Sequence, residues 1–169
     1  MNEHVLLLDA ETKAAEQPQD HRDELRLWLR LLTCTTLIEG GVRKRLRERF
    51  DVTLPRFDLM AQLDKSPDGL TLSELSRRMM VSNGNLTALV ERLVASCHLD
   101  RRTAENDRRA QVISLTNLGR AEFRAMAAEH GMWIAEMLGD LSRSEVTELL
   151  RLLAKAKASA RQAVQGERP

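Results

Sequence analysis

Residues 71–96 read TLSELSRRMMVSNGNLTALVERLVAS. Thr71-Leu72-Ser73-Glu74 has the form of a capping box, in which a Ser or Thr hydroxyl takes the N–H three residues on and a Glu there reaches back to the first N–H. It predicts a helix from Leu72 to about Met79. After a tight break around Met80-Val81, Ser82 caps a second helix running to about Ser96. Two short helices joined by a three-residue break form a helix-turn-helix pattern.

The flanks extend the pattern. Leu99 to Arg102 and Gln111 to Leu115 read as two short strands, and the charged segment Thr103–Ala110 joins them as a hairpin, the wing beside a helix-turn-helix. Upstream, Pro55 opens a short helix to about Lys65, and Ser66-Pro67-Asp68-Gly69 is a turn. Further upstream, residues 22–50 carry two apolar stripes at helical spacing. One holds Leu25, Trp28, Leu29 and Leu32; the other holds Leu27, Leu31, Cys34, Ile38, Val42, Leu46 and Phe50. A helix buried on two sides in so small a chain points to a subunit interface. Downstream, Thr116 caps a helix to about Leu138, ended by Gly139, and Ser142-Arg143-Ser144-Glu145 is a second capping box opening the last helix. The expected fold is mainly α: a winged helix-turn-helix over about 55–116, flanked by dimerisation helices at about 22–50 and 117–165. Residues 1–21 and 166–169 read as tails.

Composition narrows the function classes. The 169 residues are 43% hydrophobic and 30% charged, which excludes a disordered or collagen-like chain. Two cysteines cannot build a disulfide framework, so the cytoplasm is the expected compartment. The run Val5-Leu6-Leu7-Leu8 is too short for a signal core or a span, and no membrane partner is expected. The net charge of +1 hides an asymmetry: residues 1–24 hold seven acids and two bases, whereas residues 25–50 hold seven bases and two acids. A basic section fits an anionic partner or a merely solvated face. No nucleophile–base pair, metal-ligand cluster or glycine-rich phosphate loop appears, so no enzyme, metal or cofactor is implied.

On these residues the chain resembles the MarR family of bacterial transcription regulators. Asp107-Arg108-Arg109-Ala110-Gln111-Val112-Ile113-Ser114-Leu115-Thr116 fits the family's D-x-R-x5-L-T wing signature. Leu72–Arg78 resembles the first helix of its helix-turn-helix, and Val81–Leu93 its recognition helix. The likeness covers about Leu25 to Ala163. One departure stands out: Cys97-His98 occupies the place of the usual Gly-Leu. That glycine provides a left-handed exit from the helix, so a cysteine there is expected to be strained or to end the helix differently.

The resemblance implies a homodimeric repressor on a pseudo-palindromic operator in double-stranded DNA. Asn83, Asn85 and Thr87 are expected to read bases, and Ser82 with the helix N-terminus to meet a phosphate. Arg77 and Arg78 fit phosphate contacts. Arg108 and Arg109 fit the minor groove, with Asp107 orienting the loop. It also implies a small-molecule effector, often an aromatic acid. Trp28, Leu32, Met60, His130 and Trp133 are the candidate pocket, although each also reads as plain core. The Ser-Asn-Gly-Asn opening of the recognition helix resembles the branch that controls hydroxycinnamate catabolism and answers to aroyl-coenzyme A thioesters. That would give Arg43, Lys44 and Arg45, with Arg47 and Arg49, a phosphate-binding task. Two alternatives stay open: redox sensing through a cysteine, although Cys34 on its apolar stripe reads as structural, and a winged helix used for protein–protein contact.

Overall fold

The computed structural model describes residues 21–103 and 111–166. The elements are α1 (Arg22–Phe50), α2 (Leu54–Asp64), β1 (Leu70–Thr71), α3 (Leu72–Met79), α4 (Asn83–Ala95), β2 (Leu99–Thr103), β3 (Gln111–Leu115), α5 (Asn117–Met137) and α6 (Arg143–Gly166). This is a mainly helical winged helix-turn-helix with flanking helices. The chain divides into two compact units, residues 1–131 and 132–169.

The local signals fold as their chemistry dictates. At α3 the Thr71 hydroxyl accepts from Glu74 N–H at 3.3 Å, and the Glu74 carboxylate accepts from Thr71 N–H at 2.8 Å. Those bonds, the one from the Thr71 backbone first, hold the Glu74 carboxyl below the usual carboxylate range. The same box forms at α6, where Ser142 N–H donates to Glu145 at 2.8 Å. Thr116 caps α5 by accepting from Gly119 N–H at 3.0 Å. Pro55 sits in the first turn of α2, where its missing N–H costs nothing.

The sheet has three strands rather than two. β1 pairs antiparallel with β3, Leu70 opposite Ile113, and β3 pairs with β2, giving the order β1-β3-β2. The core of the first unit gathers Leu46 of α1, Val52, Leu59, Met60 and Leu63 around α2, Leu75 of α3, Leu86, Val90 and Leu93 of α4, Ile113 of β3 and Met126 of α5, all at most 2% exposed.

Residue 97 takes the left-handed conformation that the sequence made doubtful. Cys97 has φ 60°. Its N–H donates to Val94 O at 3.0 Å and His98 N–H donates to Leu93 O at 2.9 Å, the Schellman arrangement usually built on glycine. Two features of α5 hold it there. The Thr116 hydroxyl donates to Cys97 O at 2.7 Å, and Gly119 lies so close that a Cβ on it would stand 2.1 Å from His98 O. Met80, in the helix-turn-helix break, is also left-handed at φ 55° and is 93% exposed.

The doubled stripe of α1 is buried only in part. Val42 and Leu46 are enclosed, but Leu25, Leu27 and Trp28 are 40–56% exposed. In the second unit, α6 has no buried residue at all.

Candidate nucleic-acid interface

Helix α4 is divided lengthwise. Leu86, Leu89, Val90 and Leu93 face the core, whereas Asn83, Gly84, Asn85, Ala88, Glu91 and Arg92 are exposed. Ser82 holds the N-cap position with extended backbone, yet its hydroxyl makes no capping bond. The first intrahelical bond is Leu86 N–H to Ser82 O, so the N–H groups of Asn83, Gly84 and Asn85 point out of the helix end. Donors and partial positive charge therefore gather beside two exposed asparagine side chains. The Thr87 hydroxyl donates back to Asn83 O at 2.8 Å, which leaves its lone pairs and methyl group for other contacts.

Arg77 and Arg78 end α3 and are exposed, with Arg78 donating to Ser66 Oγ at 3.1 Å. Asp107, Arg108 and Arg109 lie outside the described residues. The wing base is described, and Arg102 of β2 ties it to the turn before β1 by donating to Asp68 O at 2.7 Å. Arg101, which the sequence reading did not single out, lines a small cavity of about 250 Å³ with Thr87 and Gln111. Nothing in the local sequence marks it, because the cavity forms only when β2 lies beside α4.

The basic run of α1 does not form one patch. Helical periodicity turns successive side chains by about 100°, so Arg43 and Arg47 point one way and their neighbours another. Arg43 and Arg47 line a groove of about 650 Å³ together with Arg92 of α4. Arg43 pairs with Glu39, Arg47 with Asp51 at 3.4 Å, Lys44 with Glu48 at 3.9 Å, and Arg49 with Glu129. Lys44 and Arg45 are not part of the groove lining.

The residues expected around an effector pocket are dispersed in burial. Trp28 is 56% exposed and Met60 fully enclosed. Leu32 is half-buried. His130 is half-buried against Phe57, with ring centroids 4.9 Å apart. Trp133 is buried and belongs to the second unit. Beside His130 stands Asp58, which the sequence did not flag. Partial desolvation pushes its carboxyl above the usual range, Glu39 adds to the rise and His130 offsets part of it, although one side of the residue still meets solvent. Cys34 and Cys97 are both free and exposed, so the stripe containing Cys34 does not enclose its thiol.

One polar cluster joins three elements. Glu122 of α5 accepts from Arg56 of α2 at 2.8 Å and pairs through its other oxygen with His98 at the start of the wing. The His98 ring meets Ser96 Oγ on its other nitrogen at 2.8 Å. All three pair members are mostly enclosed, with side chains 15–27% exposed. Among the described residues no helix is long and apolar enough to cross a membrane.

The comparisons agree with this geometry. The MarR family model matches residues 50–110. The transcriptional activatory protein BadR of Rhodopseudomonas palustris is 29% identical over 147 residues, 84% of this chain and 83% of its own. A MarR family transcriptional regulator from Silicibacter pomeroyi superposes with a TM-score of 0.70 at 29% identity, covering 85% of this chain and 99% of that one. A cysteine-to-serine mutant of E. coli MarR, solved with operator DNA, shares the fold with a TM-score of 0.70 at 23% identity, covering 82% of this chain and 99% of its own. With its capped α3, its exposed α4 terminus and its three-stranded sheet, the chain is similar to proteins of the MarR family, and its named relatives are transcriptional regulators.

Proposed function

We propose that residues 22–165 form a homodimeric, DNA-binding repressor that reads a pseudo-palindromic operator and is released by a small anionic effector. The observation that carries this reading is the first turn of α4, where Ser82, Asn83, Gly84 and Asn85 are exposed on a helix whose opposite face is buried. Major-groove readout uses the N-terminal residues of such a helix. Asn83 and Asn85 suit adenine and Thr87 a thymine methyl group. Ser82 and the helix N-terminus suit a phosphate, and Arg77 and Arg78 suit flanking phosphates. In the wing, Arg108 and Arg109 with Asp107 suit the minor groove. The E. coli MarR structure with operator DNA supports the same use of this fold. BadR is named as activatory, which fits a fold that binds DNA either way. Repression is the outcome where the operator overlaps a promoter.

A second copy of the chain accounts for the apolar stripes left open. Leu149, Leu150 and Leu153 of α6 and Leu27 and Trp28 of α1 are 42–65% exposed, and two-fold pairing covers such stripes. For the effector we propose an aromatic acid or its coenzyme A thioester. Trp28, Leu32, Met60 and His130 of the first unit are the acyl-binding candidates. Arg43, with Lys44 and Arg45 behind it, faces the phosphates, a reading supported by the three arginines at one groove.

The test is selection of duplexes from a random library, followed by titration monitored by fluorescence anisotropy. Enrichment of an inverted repeat bound by two chains is the expected result. No enrichment, or binding insensitive to salt, removes the DNA reading. Matched acid and thioester are then added to the complex, and release by the thioester at lower concentration is expected. Equal potency removes the role given to Arg43.

A further inference from the structure

The groove flanking the recognition helix has an unusual make-up. Three cations line it, Arg43, Arg47 and Arg92, beside apolar Val52, Leu54 and Ala88, and no acid is among its lining. Among the described residues, Arg43 and Arg47 are answered only by the exposed carboxylates of Glu39 and of Asp51 at the end of their helix, and the Arg92 side chain makes no bond to another described residue. An occupant that fits must bring apolar side chains and negative charge together. The chain holds one such segment. Val5-Leu6-Leu7-Leu8-Asp9-Ala10-Glu11 sets a four-residue apolar run directly before two acids, inside a stretch that carries five acids and one base over residues 1–20.

The reach is sufficient. Arg43 lies 21 residues into α1 from Arg22, about 31 Å along the axis at ~1.5 Å per residue. Arg47 lies about 37 Å along it. Asp9 precedes His21 by twelve residues, an extended reach of about 40 Å. A fully extended chain of that length is long enough to bring the acids level with Arg43 and Arg47.

We propose that, when no effector holds this groove, the N-terminal segment Val5–Glu11 docks into it in its own chain and competes with DNA for the flank of α4. Asp9 and Glu11 would meet Arg43, Arg47 and Arg92, and the leucines would cover Leu54 and Ala88. Because Gly84 and Asn85 also line the groove, a docked segment screens the first turn of the recognition helix. DNA binding is then opposed by an internal competitor whose hold weakens with salt. This competition rests on the DNA reading above; the docking itself does not.

The experiment uses the full chain with a photoreactive benzoylphenylalanine at Leu7. Irradiation without DNA is expected to give crosslinks within one chain to residues 52–55 or 88–92. They should fade in about 0.5 M NaCl and with Arg92→Glu. In parallel, a full chain carrying Glu3→Gln, Asp9→Asn, Glu11→Gln, Glu16→Gln and Asp20→Asn is compared with the natural one for binding to the selected operator. The neutralised chain is expected to bind at least about fivefold tighter at low salt, the gap closing as salt rises. Crosslinks to other regions, crosslinks between chains seen as a doubled mass, or none at all overturn the proposal. Crosslinks at the groove in a protein that binds no DNA uphold the docking and overturn the DNA reading. Equal DNA affinity of the two chains with no groove crosslink overturns the docking and leaves the DNA reading standing.

Discussion

The winged lobe and the last helix treat leucine in opposite ways. In the lobe, Leu59, Leu63, Leu75, Leu86 and Leu93 are at most 2% exposed, each enclosed by its own chain. Along α6, Leu149, Leu150, Leu152 and Leu153 are 42–65% exposed although the helix is a regular 24-residue element opened by a complete capping box. Local signals are enough to make a helix, but an apolar stripe needs a partner surface before it contributes much to stability. The lobe finds that surface within the chain, whereas α6 has no buried residue, and in the proposed dimer a second copy would cover its stripe.

Matched truncations separate the two cases. Leu75→Ala removes a fully enclosed side chain and is expected to lower stability by about 2–5 kcal/mol, with the dimer dissociation constant unchanged. Leu149→Ala is expected to cost about 1.5–3 kcal/mol of association, a dimer about 10- to 100-fold weaker, and a melting temperature that rises with protein concentration. Sedimentation velocity over a dilution series reads the association, and a thermal melt at fixed concentration reads the stability. A concentration-independent loss for Leu149→Ala would erase the contrast.

A smaller effect tests one of the lobe's left-handed helix exits. A non-glycine residue in the left-handed region costs roughly 1–2 kcal/mol, part of which glycine gives back through the greater freedom of its unfolded chain. Cys97→Gly is therefore expected to stabilise the protein by about 0.5–1 kcal/mol, or about 2 °C in a thermal melt. No gain would mean that the Thr116 and Gly119 contacts already relieve the turn.

The smallest effect comes from the α3 capping box. The Glu74 carboxyl is more acidic folded than unfolded, so its bonds contribute stability above the ordinary Glu value of about 4.3. That contribution is lost as pH falls through the depressed folded value. The group is largely solvated, so the effect is expected to be no more than a few tenths of a kcal/mol. Glu74→Gln should flatten the acid limb of a urea-midpoint against pH profile without moving its neutral plateau much. An unchanged limb would show that the box is equally formed with a protonated acid.

What could be read in advance follows the range of each cause. The capping boxes at Thr71 and Ser142, the Pro55 start and the Thr116 cap depend on residues within four positions, and the sequence displays them directly. Strand β1 escaped because two residues become a strand only by pairing with Ile113 and Val112, some forty positions later. The conformation of Cys97 turned on Thr116 and Gly119, which no inspection of residues 93–98 supplies. The α1 arginines looked like one patch because they adjoin in sequence, whereas the helix turn sends Arg43 and Arg47 toward Arg92 and leaves Lys44 and Arg45 outside. Asp58 and Arg101 were invisible for the same reason: each is placed by an element remote in the chain. The exposed polar turn of α4 was legible because an amphipathic helix with a polar N-terminus is a local pattern. The wing residues Asp107, Arg108 and Arg109 rest on the sequence signature.

The most direct test of the central claim is a hydroxyl-radical footprint of the natural protein on its selected duplex. Two recognition helices related by a two-fold axis should protect two half-sites whose centres lie about 10–10.5 base pairs apart. Protection should be lost with Asn83→Ala and Asn85→Ala together, while the dimer persists in sedimentation. A single protected patch, or a footprint that both substitutions leave intact, would contradict the account.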